Sequence, residues 1–235
     1  ATHFLYKGMM WLSVAGASLR TGTRTMYLMG GLIKRMPISF VSFLVGIIAL
    51  SGVPPLTGFG GKWLLYHSLI AKGWYFEAAA SFLASGIAFL YLYRMIHSIF
   101  LGQPKDEHRT VKEAPFWLVL PQVLLLVAVV GFSIFPRLIL DPIMAIVGAQ
   151  YPASGFAFEG QTLVSSLGYW NGLLTIVVVV VVVVLTFLWM VMNLRKPRLV
   201  KQFNIVFAAE RPFRPETTHF AFDFFAPYRR ALGFL

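Results

Sequence analysis

Ser51-Gly52-Val53-Pro54-Pro55-Leu56-Thr57-Gly58-Phe59-Gly60-Gly61, followed at once by Lys62, interrupts an apolar stretch running from about residue 37 to residue 71. A continuous helix cannot pass through it. Proline withholds a backbone donor and clashes with the preceding turn, and glycine disfavours the helix interior. The stretch is therefore either two short spans joined by a tight turn or one helix broken at membrane depth. The basic residues choose between these. With one discontinuous helix, Arg20, Arg24, Lys34 and Arg35 share a side with Lys105, Arg109 and Lys112. Arg195, Lys196, Arg198, Lys201, Arg211, Arg214, Arg229 and Arg230 fall on that side too, and only Lys72 and Arg137 face the other. Two separate spans would scatter the pattern. The positive-inside rule thus predicts five spans, a discontinuous second one and a cytoplasmic C-terminus, or a matrix one in an organelle.

Working outward, spans of about 20 mostly apolar residues are expected at residues 2–18, 37–71, 74–100, 115–135 and 169–194. The composition agrees. Hydrophobic residues make up 58% of the 235 and charged ones only 12%, with a mean hydropathy of +0.74. A soluble surface carries about twice that charged fraction, so lipid must cover much of this one. Cysteine is absent, which removes disulfides, iron–sulfur ligation and thiol chemistry. The net charge of +11 does not point to nucleic acid, because the cations lie between apolar runs where membrane proteins place them. Gly58-Phe59-Gly60-Gly61-Lys62 lacks the spacing of a phosphate loop. The valine-rich run at residues 177–184 has no polar handle and reads as a lipid-facing or packed helix.

Two lysines remain inside the expected spans, Lys7 and Lys62. A cation at the bilayer centre costs at least about 2.5–3.5 kcal/mol, so such residues are candidates for work with ions. Near a span end a lysine can snorkel to the headgroups, which is the bland alternative for Lys7. Lys62 directly follows the break. Broken helices survive in lipid only where protein or an aqueous cavity satisfies the freed backbone groups, and such breaks typify ion-binding segments of transporters. A proline kink that shapes packing is the alternative there. Pro54, Pro55, Gly58, Gly60 and Gly61 are the break-forming candidates.

His3 and Lys7 stand at i, i+4 and share a helical face. An imidazole, whose ordinary titration range lies near neutrality, beside an amine at depth suits a proton relay. A histidine bonded to a backbone carbonyl is the simpler reading of His3 alone. His67 is a weaker candidate, since five positions from Lys62 turn it about 140° away on a helix. His97 lies near the basic-side end. None of the nine Asp and Glu residues falls clearly within a span, Glu77 coming nearest. An amine that switches protonation state needs a carboxylate to oppose the desolvation penalty, so that group is expected from elsewhere.

Residues 195–235 differ in character. They are basic, proline-punctuated and rich in Phe, as in Glu210-Arg211-Pro212-Phe213-Arg214-Pro215 and Asp223-Phe224-Phe225-Ala226-Pro227-Tyr228. Such a tail can lie on the membrane surface or dock a partner through aromatic anchors. Its prolines would break a long interfacial helix and favour the partner.

Four stretches together resemble one family. Thr2-His3-Phe4-Leu5-Tyr6-Lys7-Gly8 resembles the His-x3-Lys helix of the antiporter-like subunits of respiratory complex I. Gly30-Gly31-Leu32-Ile33-Lys34-Arg35-Met36-Pro37 resembles that family's Gly-Gly-Leu-x-Lys-x-Met-Pro signature. Residues 49–59 with Lys62 resemble its broken helix and lysine, and Tyr93-Arg94-Met95 matches the following helix. The resemblance covers residues 1–101; later segments match in layout only. The family takes in the L, M and N subunits of complex I, the membrane arms of energy-converting hydrogenases and formate hydrogenlyases, and subunits of multisubunit sodium/proton antiporters. Lys62 is similar to the L or N type.

The resemblance implies an all-α integral membrane protein, the C-terminal portion of an inverted-repeat antiporter-like fold. Residues 1–101 would end the second repeat, 102–194 would add helices and loops, and 195–235 would form a cytoplasmic tail. His3, Lys7 and Lys62 would belong to a polar axis that moves protons. The first repeat with its Glu–Lys pair would come from another antiporter-like membrane subunit, or the chain would be a piece of a longer one. No cofactor is expected in this chain; flavin, iron–sulfur clusters or nickel–iron would sit in redox partner subunits, which the tail could contact. Lipid is the other expected partner, in a bacterial or archaeal cell membrane, with no role for nucleic acid. The leading expectation is a proton-translocating subunit of a redox-driven complex. A sodium/proton antiporter subunit without redox chemistry and a membrane scaffold are the alternatives.

Overall fold

The computed structural model describes residues 2–102, 105–150, 157–165 and 168–193. The basic aromatic tail lies outside these described residues. The fold is mostly helical. Helix α1 spans Thr2–Thr21, α2 Pro37–Ser51, α3 Thr57–Ala71 and α4 Tyr75–Ile96, the last continued by a π-helical turn His97–Leu101. Helix α5 spans Phe116–Ile134, α6 Arg137–Gln150 and α7 Gly172–Asn193.

Among the described residues three stretches are long and apolar enough to cross a membrane: Tyr75–Leu101, Phe116–Ile134 and Gly172–Asn193. They coincide with the last three expected spans. Helices α2 and α3 have 15 residues each, or about 22 Å at helical rise. Neither crosses a hydrocarbon core of about 30 Å alone.

Two features between α5 and α7 go beyond the expected layout. One is the 14-residue helix α6. The other is an antiparallel three-stranded sheet of β1 (Ala157–Glu159), β2 (Thr162–Ser165) and β3 (Gly168–Asn171), in that order. The first turn is tight and carries Gly160 at φ 61°, where glycine meets no Cβ penalty. Arg137 ties the sheet to α6, donating from Nη1 to the Gly160 carbonyl at 3.0 Å and pairing with Asp141 at 3.3 Å. The last span consequently starts at Gly172 and not at Tyr169, because Tyr169–Asn171 pair with β2. Asn171 then caps α7, its Oδ1 accepting from the Leu174 amide at 2.9 Å.

The core lies where α1, α2, the end of α4 and α5 meet. Met9, Ala17, Met36, Phe43, Ile47, Phe100 and Val129 are all but fully buried there. Small residues let the helices approach, the usual device where lipid gives no hydrophobic drive. A Cβ on Gly16 would sit 2.7 Å from that of Ala114, and one on Gly46 would overlap Met10.

At the end where α1 stops and α2 and α5 start, the loops carrying most of the described cations knit together. Arg20 Nε donates to the Glu113 carbonyl at 2.8 Å. Lys105 Nζ donates to the Tyr27 carbonyl at 2.8 Å, and His108 Nε2 lies 3.1 Å from the Leu28 carbonyl. Helix α2 begins with Pro37 and has no side-chain cap of its own. Glu113 supplies one from 75 residues away: Oε2 accepts from the Ile38 amide at 2.8 Å, and Oε1 from Ser39 Oγ at 2.7 Å and the Ala114 amide at 2.9 Å. A carboxylate there also complements the helix dipole. Glu113→Ala is expected to cost about 1–2 kcal/mol, the scale of a lost cap, seen as a lower unfolding midpoint of the detergent-solubilised protein. An unchanged midpoint would show that water caps α2 equally well.

Candidate functional site at the helix break

Helix α2 ends as its sequence dictates. Gly52 takes φ 71°, its amide donates to the Ala49 carbonyl at 3.3 Å, and the Val53 amide donates to the Ile48 carbonyl at 3.2 Å. These are the two bonds of a Schellman termination. The chain turns through Pro54-Pro55, and α3 starts at Thr57, whose amide donates to Ser133 Oγ of α5 at 3.0 Å. The two half-helices touch closely, for a Cβ on Gly58 would overlap the Ala49 carbonyl oxygen. Gly60 is buried under the Trp170 ring of β3, 2.7 Å from where its Cβ would be. Gly61 meets nothing within 4 Å.

The break leaves polar groups without helical partners, as helix ends do. Lys62 meets one of them. Its stem packs on Gly52, and its Nζ donates to the Ser51 carbonyl at 2.9 Å and to Ser85 Oγ of α4 at 2.9 Å. The ammonium thus sits at the C-terminal, negative end of the α2 dipole and bridges to the interior of the long apolar helix Tyr75–Leu101. Ser85 continues the network: Tyr66 Oη lies 2.9 Å from its Oγ, and Ser85 Oγ donates to the Ser81 carbonyl at 3.1 Å. Ser51 Oγ, Thr57 Oγ1 and Trp170 Nε1 are buried with no protein hydrogen bond, so the break concentrates unspent polar capacity.

Lys7 is half-buried and lines a cavity of about 160 Å³ with Phe43, Tyr91, Leu92 and Met95. Both lysines therefore approach α4. Ser85 and Leu92 lie about 10 Å apart along its axis at 1.5 Å per residue. Among the described residues no carboxylate pairs with either amine. His3 does not meet Lys7. It is exposed, and its Nδ1 lies 2.9 Å from the hydroxyl of buried Tyr6. His67 packs on Trp63 with ring centroids 5.2 Å apart, and His97 sits 6.2 Å from the Tyr93 ring at the start of the π turn. Glu77 is exposed in the first turn of α4.

Tyr66, Ser81 and Ser85 are absent from the candidates that the sequence offers. A signal existed: Lys62/Tyr66 and Ser81/Ser85 are i, i+4 pairs on consecutive apolar helices, so each helix carries one polar stripe. Chemically, an amine held by one carbonyl and one hydroxyl, with a phenol beyond, can accept and pass a proton through neutral partners.

Known proteins share this architecture. Residues 1–88 match the family described as NADH:quinone oxidoreductase/Mrp antiporter, TM. The chain is 30% identical over 173 residues to a Na(+)/H(+) antiporter subunit of Alkalihalophilus pseudofirmus, covering 67% of this chain and 22% of that protein. It is 39% identical over 66 residues to formate hydrogenlyase subunit 3 of Escherichia coli, covering 28% of this chain and 11% of that one. Among solved structures, a chain of the membrane-bound sulfane sulfur reductase, an archaeal respiratory membrane complex, superposes over 99% of this chain and 38% of its own. The TM-score is 0.82 and the identity 27%. The chain thus spans 22% or less of the length of these two curated relatives.

Proposed function

We propose that this chain, whose residues 1–88 match the NADH:quinone oxidoreductase/Mrp antiporter transmembrane family, is an antiporter-like membrane subunit or a piece of one that moves protons within a redox-driven complex, with Lys62 and Lys7 as stations on the path. The observation that carries this reading is the Lys62 amine at the broken end of α2, held by the Ser51 carbonyl and Ser85 Oγ. A simple packing kink has no use for a cation there, given the cost of burying one. His3 stands at the edge of the path through Tyr6, and His67 is peripheral. The carboxylate that tunes the amines comes from outside the described residues, on a further segment or a neighbouring antiporter-like subunit, since Glu113 is engaged in capping α2. Flavin, iron–sulfur or nickel–iron centres belong to partner subunits, and the C-terminus faces the basic, cytoplasmic side.

The similarity to a sodium/proton antiporter subunit over 67% of the chain favours a second reading, exchange without electron transfer. Superposition of 99% of the chain on a respiratory complex supports the first. Inverted membrane vesicles carrying the assembled complex distinguish them, with internal pH followed by a dye and sodium by isotope. NADH, formate and hydrogen are supplied in turn as electron donors, each with a quinone or polysulfide as acceptor. Acidification that begins with an electron donor is the expected result. Proton movement that needs only an imposed sodium gradient would install the antiporter in its place.

A further inference from the structure

The knitted loops at the basic end enclose a cavity of about 550 Å³ that the ion path does not use. Its walls are residues 30–35, between α1 and α2, and Leu101, Gly102, Lys105, His108 and Arg109, between α4 and α5. Lys34 and Arg35 line it from one loop and Lys105 and Arg109 from the other, and among the described lining residues none is acidic. Lys34, Arg35 and Arg109 are exposed, and Lys105 is half-buried with its amine fixed on the Tyr27 carbonyl. Among the described residues no carboxylate pairs with Lys34 or Arg35. Gly30 and Gly31 form the remaining wall at φ 145° and 64°. Backbone in that region is open to glycine and lets a ligand approach the main chain closely.

Lys34 and Arg35, which no described carboxylate pairs, favour an anion at this opening. Guanidinium and ammonium groups on two walls suit the oxygens of a phosphate. The cavity's rim tells which kind. Leu101 lines it and is 42% exposed, and Phe116 and Trp117, at the start of α5 on the same end, are 65% and 80% exposed. Exposed aromatics at a span end mark headgroup level. A basic pocket between spans there meets phosphate at its mouth and acyl chain along its side.

We propose that this cavity binds the phosphate of an anionic phospholipid headgroup, with the chains descending past Leu101. Its role is to clamp the loop after α1 to the loop after α4. The site stands apart from the ion path, and its test needs no ion flux.

The assembled complex is reconstituted in nanodiscs of phosphatidylcholine with or without phosphatidylglycerol, and retained lipid is counted by native mass spectrometry. Inorganic phosphate serves as competitor. Wild type should retain phosphatidylglycerol preferentially, and millimolar phosphate should displace little of it. The double substitution Lys34→Gln/Arg35→Gln should weaken retention about thirtyfold. Arg109→Gln, on the opposite loop, should weaken it several-fold. All these side chains are exposed, so unfolding midpoints in pure phosphatidylcholine should match wild type. Equal retention by wild type and the double variant overturns the site. Phosphate that binds as tightly as the lipid, and is lost in the same variants, overturns the lipid as its source.

Discussion

Lys62→Ala is expected to abolish ion translocation while leaving membrane assembly intact. Burial of an ammonium within a span is unfavourable by at least about 2.5–3.5 kcal/mol, so alanine eases insertion. The groups that lose the amine do not collapse. Ser85 keeps its bonds to Ser81 and Tyr66, and the Ser51 carbonyl is one of several at a helix end already used to sharing. What disappears is the group able to take and give a proton at the break. Positioned acid–base groups contribute roughly 10²–10⁴-fold, and a fall in flux of that order is expected. Lys62→Arg should fail as well, because guanidinium stays charged at any working pH and its bulkier planar head must fit where the slim lysine stem packs on Gly52. Lys7→Ala should show a milder loss. His3→Ala should be milder again, since His3 is exposed and meets Tyr6 rather than the amine. The measurement is donor-driven acidification of vesicles, normalised to assembled complex. Normal flux through assembled Lys62→Ala would leave the break as a packing device and bring the scaffold reading forward.

Gly58→Val is expected to destroy the folded protein. The added Cβ would land on the Ala49 carbonyl oxygen, backbone against backbone, with no flexible side chain to yield. Overpacking typically costs about 1–3 kcal/mol when side chains can shift; here α2 and α3 must separate, and Ser51 would move away from Lys62. Loss of assembled complex, measured by native gel and protease resistance, should be nearly complete. Gly61→Ala is the matched control. Nothing lies within 4 Å of its Cβ position, and alanine in a helix interior gains up to about 1 kcal/mol over glycine. Equal yields from the two variants would mean that the halves of the broken helix are not locked together.

The sequence by itself determined that the apolar stretch breaks at Pro54-Pro55 with a lysine nearby, but it drew the break too long. The gap is residues 52–56, and Gly58, Gly60 and Gly61 lie within α3, where close packing on the Ala49 carbonyl and Trp170 uses the first two. Proline and glycine act through their own dihedrals and missing donors, whatever surrounds them. It also determined the later spans, because length and apolarity are local sums, and the gathering of cations at one end, which alternates with each crossing. Only the tertiary structure decided what each of these residues touches. The Ser51 carbonyl and Ser85 as holders of Lys62, Glu113 as the cap of α2 and Trp170 over Gly60 join residues by contacts that no local propensity encodes. The small sheet escaped for a related reason. Its strands have three or four residues, too few alternations to leave a pattern, and Trp170 is seated by packing on a helix more than a hundred positions away. His3 and Lys7 show the same limit, since shared spacing put them on one face of α1, while the nearby Tyr6 hydroxyl took the imidazole.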